Sequence, residues 1–208
     1  MLKEYLFLYN MVQWGGWGMI LLDLIQNQGV SEYGASLVNI FQLIALLEVV
    51  HAATRMVRAS PSTTLIQVFG RLQVLAVRFY VFEAEKSSGN LPMMLAWALV
   101  EIVRYLYLGL NVVGFAPFPL LWLRYSLFYV LYPLGVYGEM RVLYDALPGL
   151  DRTSLWSKTL PNDANFSFSF ANYIRVFLVV AYIPGLVNQY TYMMRQRKTV
   201  LARDTKNE

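Results

Sequence analysis

The chain contains no cysteine and a single histidine, His51. Without thiols there is no disulfide, no thiolate metal site and no cysteine nucleophile. With one imidazole, a His- or Cys-rich metal centre is not expected either. Charge is also scarce: Asp, Glu, Lys and Arg make up 14% of 208 residues, where a soluble domain carries about 25%. The deficit is spread along the whole chain, which reads as a polytopic membrane protein. No internal repeat, low-complexity run or interdomain linker interrupts it. The first apolar run lacks a small-residue cleavage site, so it reads as a span rather than a leader.

What is present is apolar sequence in six blocks, giving an all-α expectation: a bundle of six transmembrane helices over residues 1–194 and a basic cytosolic tail over 195–208. The expected spans are about 5–25, 36–57, 63–82, 91–113, 118–138 and 166–193. Gly15, Gly16 and Gly18 offer the first a small face for close packing, and Ser62 is a candidate N-cap for the third. The segment from 140 to 165 is polar and carries Pro148-Gly149 and Pro161-Asn162, so it is expected to be a loop. The net charge of +4 owes much to "RQRKTVLARDTKNE" at the C-terminus. Basic residues beside a span argue for the cytosolic side of a membrane and not for nucleic acid. Six spans with both termini cytosolic satisfy that bias.

Several charges fall inside the expected spans: Glu48, His51 and Arg55 in the second, Arg71 and Arg78 in the third, Glu101 and Arg104 in the fourth, Arg124 in the fifth. A charge near the centre of a spanning helix costs roughly 2.5–3.5 kcal/mol on insertion scales, so these groups must face each other or a wet cavity. Glu48, His51 and Arg55 would share one stripe, and Arg71 and Arg78 another. Two readings stand: ion pairs that lock helices together, or a chamber with excess positive charge suited to an anionic ligand. His51 alone reads as a core histidine.

The segment "LRYSLFYVLYPLGVYGEM", Leu123–Met140, places Tyr125, Tyr132 and Glu139 at seven-residue intervals. On an unbroken helix they share a face, with Tyr132 and Glu139 about 10 Å apart along the axis. Pro133 and Gly135 are expected to break the helix between them. A phenol and a carboxyl lining one cavity form a candidate acid–base pair. The competing reading is an interfacial tyrosine and a helix-end glutamate.

The same segment resembles the signature of the very-long-chain 3-hydroxyacyl-CoA dehydratases, also called protein tyrosine phosphatase-like proteins. The resemblance extends to "LEVVHAATRMVRASP", "IQVFGRLQ", "WALVEIVRYLY" and "LPNDANFSFSFANY". It implies six spans in the endoplasmic reticulum membrane with cytosolic termini. It also implies the third step of fatty-acid elongation: loss of water from a (3R)-3-hydroxyacyl-CoA to give the trans-2-enoyl-CoA. The family's catalytic tyrosine and glutamate fall on Tyr132 and Glu139. The partners implied are acyl-CoA, membrane lipid and the other elongation enzymes, the condensing enzyme and the reductases. Such a dehydration needs no redox cofactor.

Arg71, Arg78, Arg104 and Arg124, with Tyr125, are candidates to bind substrate. Phe69, Leu72, Trp97 and Phe128 are candidates to line a slot for the acyl chain. "HAATRMVR" has the outline of a phosphatase loop, but Ala52 stands where the nucleophilic cysteine would be, which removes phosphocysteine chemistry. "DTKNE" offers only Lys206 to a dilysine retrieval signal. A non-catalytic scaffold for the elongation machinery and a small-anion transporter are the alternative functions.

Overall fold

The computed structural model describes residues 1–204 and is built from helices: α1 (Leu2–Gln26), α2 (Glu32–Ile44), α3 (Leu46–Ala53), α4 (Pro61–Tyr80), α5 (Phe82–Glu85), α6 (Asn90–Val112), α7 (Phe118–Arg124), α8 (Phe128–Thr153), α9 (Phe170–Phe177), a π turn (Leu178–Tyr182) and α10 (Ile183–Asp204). Among the described residues the only β pairing is an isolated bridge between Lys158 and Phe168. Lys206 lies outside the described residues.

Three segments are long and apolar enough to cross a membrane, by length and composition: Glu32–Ala53, Asn90–Val112 and Phe170–Ala202. α1, α4 and α8 have comparable length, 25, 20 and 26 residues. Polar groups dilute their apolar runs: Asn10 and Gln13 in α1, Arg71 and Arg78 in α4, Glu139, Arg141 and Asp145 in α8. Asn10, Gln13 and Arg78 are buried inside the bundle, as groups too costly to show to lipid must be.

α6 runs through the centre, packed between α1 and α8. Its buried residues Met93, Met94, Trp97, Glu101 and Tyr105 mark the inward stripe. α4 bridges α3 to α8, and the segment from α9 through α10 lies along α8. Very close helix contacts set the inward geometry. A Cβ on Gly138 would stand 2.6 Å from the Met93 backbone nitrogen, so only glycine permits that crossing of α8 and α6. Gly16 has the same role in α1, where a Cβ would enter the Phe41 ring at 2.0 Å. Gly15 and Gly18 face open space, so the expected small face comes down to one residue.

Several expected boundaries move. The second span is two helices jointed at Ala45 and ends at Ala53. Arg55 therefore lies past the helix, exposed, with a left-handed φ of 58°, and drops out of the Glu48–His51 stripe. Ser60, not Ser62, caps α4, accepting from the Thr63 N–H at 3.4 Å. Helix α8 continues to Thr153 through Pro148, so half of the expected 140–165 loop is helical. α10 runs unbroken through residues 195–204, where the tail was expected to begin.

The largest difference concerns the expected break at Pro133-Gly135. α8 is helical through Pro133, and the interruption lies upstream at Tyr125–Leu127. There the Tyr129 and Val130 N–H groups bond to Ser126 and Leu127, three residues back, at 3.2 Å each. A proline clashes with the carbonyl four residues earlier, here Tyr129, and offers it no donor. The turn in front of the proline therefore absorbs the distortion. Tyr125 consequently sits at the α7–α8 junction, while Tyr132 and Glu139 share an unbroken helix.

Candidate active site

About three turns into α8, Glu139 projects toward α6 on one side and the π turn on the other. Trp97 Nε1 donates to Glu139 Oε1 at 2.8 Å, and the Tyr182 hydroxyl donates to Oε2 at 2.9 Å. Each carboxyl oxygen thus has one protein donor. The crossing at Gly138 and Met93 brings the two helices close enough for the indole to reach. Gly135, one turn earlier, packs a would-be Cβ at 3.4 Å from Ala96.

Tyr132 lies one heptad before Glu139 on the same helix. Its ring is half-buried and tilts against Tyr190 of α10, with centroids 6.4 Å apart. The phenol lies within electrostatic range of the Glu139 carboxyl, and its hydroxyl makes no hydrogen bond among the described residues. The two groups therefore line one wall without bonding each other.

Beside this pair runs a chain of ions. Arg71 of α4 reaches Glu101 of α6 in a short ion pair, and its guanidinium lies 5.0 Å from the centroid of the Trp97 ring. Glu101 also accepts from Arg104 Nε at 2.5 Å. Arg104 then grips Glu48 of α3 with two parallel bonds of 2.8 Å. Tyr105 donates a short bond to Glu48, and Tyr9 donates a longer one at 3.4 Å. The string Glu48–Arg104–Glu101–Arg71 alternates in sign and is balanced. It ties α1, α3, α4 and α6 together, so the ion-pair reading of these charges holds for Arg71 and Arg104. His51 is a core histidine, bonded through Nε2 to the Tyr5 hydroxyl at 2.7 Å and packed edge-on to Tyr9.

The remaining arginines differ. Arg78 is buried and donates from Nε to Asn90 Oδ1 at 3.1 Å, near the α5–α6 turn and away from Glu139 along α6. Arg124 lies over the Tyr107 ring at 4.6 Å and beside Tyr125 at 5.5 Å. Its Nη1 is buried with no hydrogen-bond partner. It is the candidate arginine best able to accept an incoming anion, since guanidinium forks match phosphate and carboxylate geometry. Of the expected slot residues, Trp97 and Phe128 are buried and Leu72 is half-buried. Phe69 points outward, 62% exposed, because it lies on the side of α4 opposite the buried Val68, Val74 and Val77 stripe.

The sequence pattern alone does not single out Tyr182, which bonds Glu139 from outside α8. A signal exists: "AYIPG", running from the π turn into α10, repeats the tyrosine, proline and glycine grouping of "LYPLG" in α8. Among the described residues no group of three His, Cys, Asp or Glu side chains could hold a metal ion.

Together these features define an all-α membrane protein with a carboxyl, two phenols and a charge-balanced string of ions inside its bundle. The family model described as "Protein tyrosine phosphatase-like protein, PTPLA" matches residues 42–203, and the chain belongs to this family. It is 35% identical over 206 residues to very-long-chain (3R)-3-hydroxyacyl-CoA dehydratase 2 of Mus musculus, covering 95% of this chain and 81% of the relative. It is 34% identical over 209 residues to the very-long-chain (3R)-3-hydroxyacyl-CoA dehydratase PASTICCINO 2 of Arabidopsis thaliana, covering 97% and 94%. A Caenorhabditis elegans dehydratase of the same description is 34% identical over 215 residues, covering 99% and 98%. No solved structure matches the chain.

Proposed function

We propose that this protein is a hydro-lyase that dehydrates (3R)-3-hydroxyacyl-CoA to trans-2-enoyl-CoA in fatty-acid elongation, with Tyr132 and Glu139 as its acid–base pair. A base takes the C2 proton, the C–H electrons form the C2=C3 bond, and the C3 hydroxyl leaves as water with a proton from the acid. One observation carries the reading. Glu139 has both oxygens held by donors, while Tyr132, seven residues earlier on the same helix, has a hydroxyl with no hydrogen bond among the described residues. A β-hydroxy thioester needs two such groups, one at C2 and one at the C3 hydroxyl.

The carboxyl lies about 10 Å inside the bundle from the start of α6, judged by the seven residues between Asn90 and Trp97. In our reading the chain spans the endoplasmic reticulum membrane six times with cytosolic termini, so that end of α6 is lumenal. Acyl-CoA then enters from the opposite, cytosolic end, where Arg124, Tyr107 and Tyr125 cluster. The Arg124 guanidinium, whose Nη1 has no hydrogen-bond partner, meets a phosphate of CoA. The pantetheine arm passes the string of Arg104 and Arg71 to bring the thioester to Glu139. Arg71, whose guanidinium lies 5.0 Å from the ring of the Trp97 that bonds Glu139, is the group we assign to the thioester carbonyl as negative charge develops. The acyl chain lies between Trp97 and Phe128. The condensing enzyme and the reductases of elongation are the expected partners, since their chemistry makes this substrate and consumes this product.

Purified protein is incubated with a long-chain 3-hydroxyacyl-CoA and the enoyl product followed by mass spectrometry. A scaffold would form no product, and Tyr132→Phe or Glu139→Gln would leave its binding unchanged. The self-contained donor set around Glu139 favours the enzyme.

A further inference from the structure

We propose that Tyr182, delivered by the π turn Leu178–Tyr182, is a positioning residue for the Glu139 carboxyl. This inference rests on the reading of Glu139 as a reacting group.

The local sequence explains the turn. Pro184 has no N–H for the Val180 carbonyl, and its ring crowds that oxygen. An α-helical ladder cannot continue there without change, and the chain widens to i→i+5 spacing. Tyr182 is five residues after Phe177, and the rings meet edge-on with centroids 5.3 Å apart. In a regular α-helix, residues five apart point about 140° away from each other. The π spacing therefore sets Tyr182 above Phe177, which in turn stacks on Tyr173 at 5.6 Å. This aromatic column fixes the direction of the phenol, and the phenol ends on Glu139 Oε2 at 2.9 Å.

The consequence is a division of labour between two tyrosines. Tyr182 is committed to the carboxylate, while Tyr132 keeps its hydroxyl for the substrate. Trp97 holds the other oxygen, so the carboxyl is clamped from α6 and from the π turn at once. Loss of the Tyr182 hydroxyl leaves the carboxyl held on one side only and free to rotate about its terminal bond. Misplacing a reacting group costs rate more than affinity.

The test compares Tyr182→Phe with Tyr173→Phe. Both remove one phenol hydroxyl from the same aromatic column, and Tyr173 donates to Gln73 at 3.1 Å instead of to Glu139. With long-chain 3-hydroxyacyl-CoA as substrate, Tyr182→Phe is expected to lower kcat by about 10- to 100-fold, the range for losing a bond to a charged group. KM and the detergent-solubilised melting temperature stay near wild type. Tyr173→Phe keeps wild-type kcat. Equal kcat losses in the two variants, or a Tyr182→Phe loss confined to KM or to melting temperature, would make the tyrosine merely structural and overturn the proposal. Glu139→Gln is run alongside. If it is inactive while Tyr182→Phe turns over at the wild-type rate, this inference alone fails. If Glu139→Gln is itself active, the reading of the site fails first.

Discussion

The Trp97 indole bonds the Glu139 carboxyl through Nε1 at 2.8 Å, and the Arg71 guanidinium lies 5.0 Å from the same ring. One side chain of α6 therefore connects the candidate reacting carboxyl of α8 to the ion string of α3, α4 and α6. The orientation of Glu139 and the integrity of the bundle depend on common parts, and substitutions can separate the two.

Glu48→Ala tests the structural half. It removes the bidentate partner of Arg104 and the acceptor of Tyr105 and Tyr9. The pair is partly buried and Arg104 keeps Glu101, so the loss is about 1.5–3 kcal/mol, the value of hydrogen bonds to a charged group. Glu48→Ala should therefore lower the thermal midpoint of purified protein by several degrees or abolish its accumulation. An unchanged melt would show that the string adds nothing to stability.

Gly138→Ala addresses the close crossing. The new Cβ would meet the Met93 nitrogen at 2.6 Å and the Gly89 oxygen at 2.7 Å, both backbone atoms that cannot step aside. Overpacking of this kind costs about 1–3 kcal/mol. The shift also pulls Glu139 from Trp97, so activity should fall even in protein that survives purification. Gly18→Ala is the contrast: nothing lies within 4 Å of its would-be Cβ, and both melt and activity should match wild type.

Much of this arrangement was legible beforehand, because charges in apolar helices have few places to go. The inward pairing of Glu101 with Arg104 followed from their spacing and the cost of lipid exposure. The common face of Tyr132 and Glu139 followed from helical period. What could not be read was pairing between helices: that Glu48 takes Arg104, that Arg71 takes Glu101, and that Tyr182 reaches Glu139. Those depend on packing register, which depends on glycine contacts such as Gly138 against Met93. The displaced break has a different origin. The sequence marks Pro133 itself, whereas a proline strains the turn before it.

Arg124→Gln tests the anion contact. Its Nη1 is buried and makes no hydrogen bond, so its loss should cost about 1–2 kcal/mol of stability, the value of its stacking on Tyr107 and Tyr125. Removal of a charge-assisted contact to a CoA phosphate should raise KM by about 10-fold or more while leaving kcat within about threefold. A kcat effect without a KM effect would move Arg124 out of substrate binding.

The central claim is that Glu139 and Tyr132 perform the dehydration. The most direct measurement is single-turnover conversion of a long-chain (3R)-3-hydroxyacyl-CoA by purified wild-type, Tyr132→Phe and Glu139→Gln proteins, matched for melting temperature, with enoyl-CoA followed by mass spectrometry. The account predicts product from wild type and a rate at least about 100-fold lower in each variant, the scale of a lost general acid or base. Wild-type-like turnover in either folded variant, or no product from the folded wild-type protein, would contradict it.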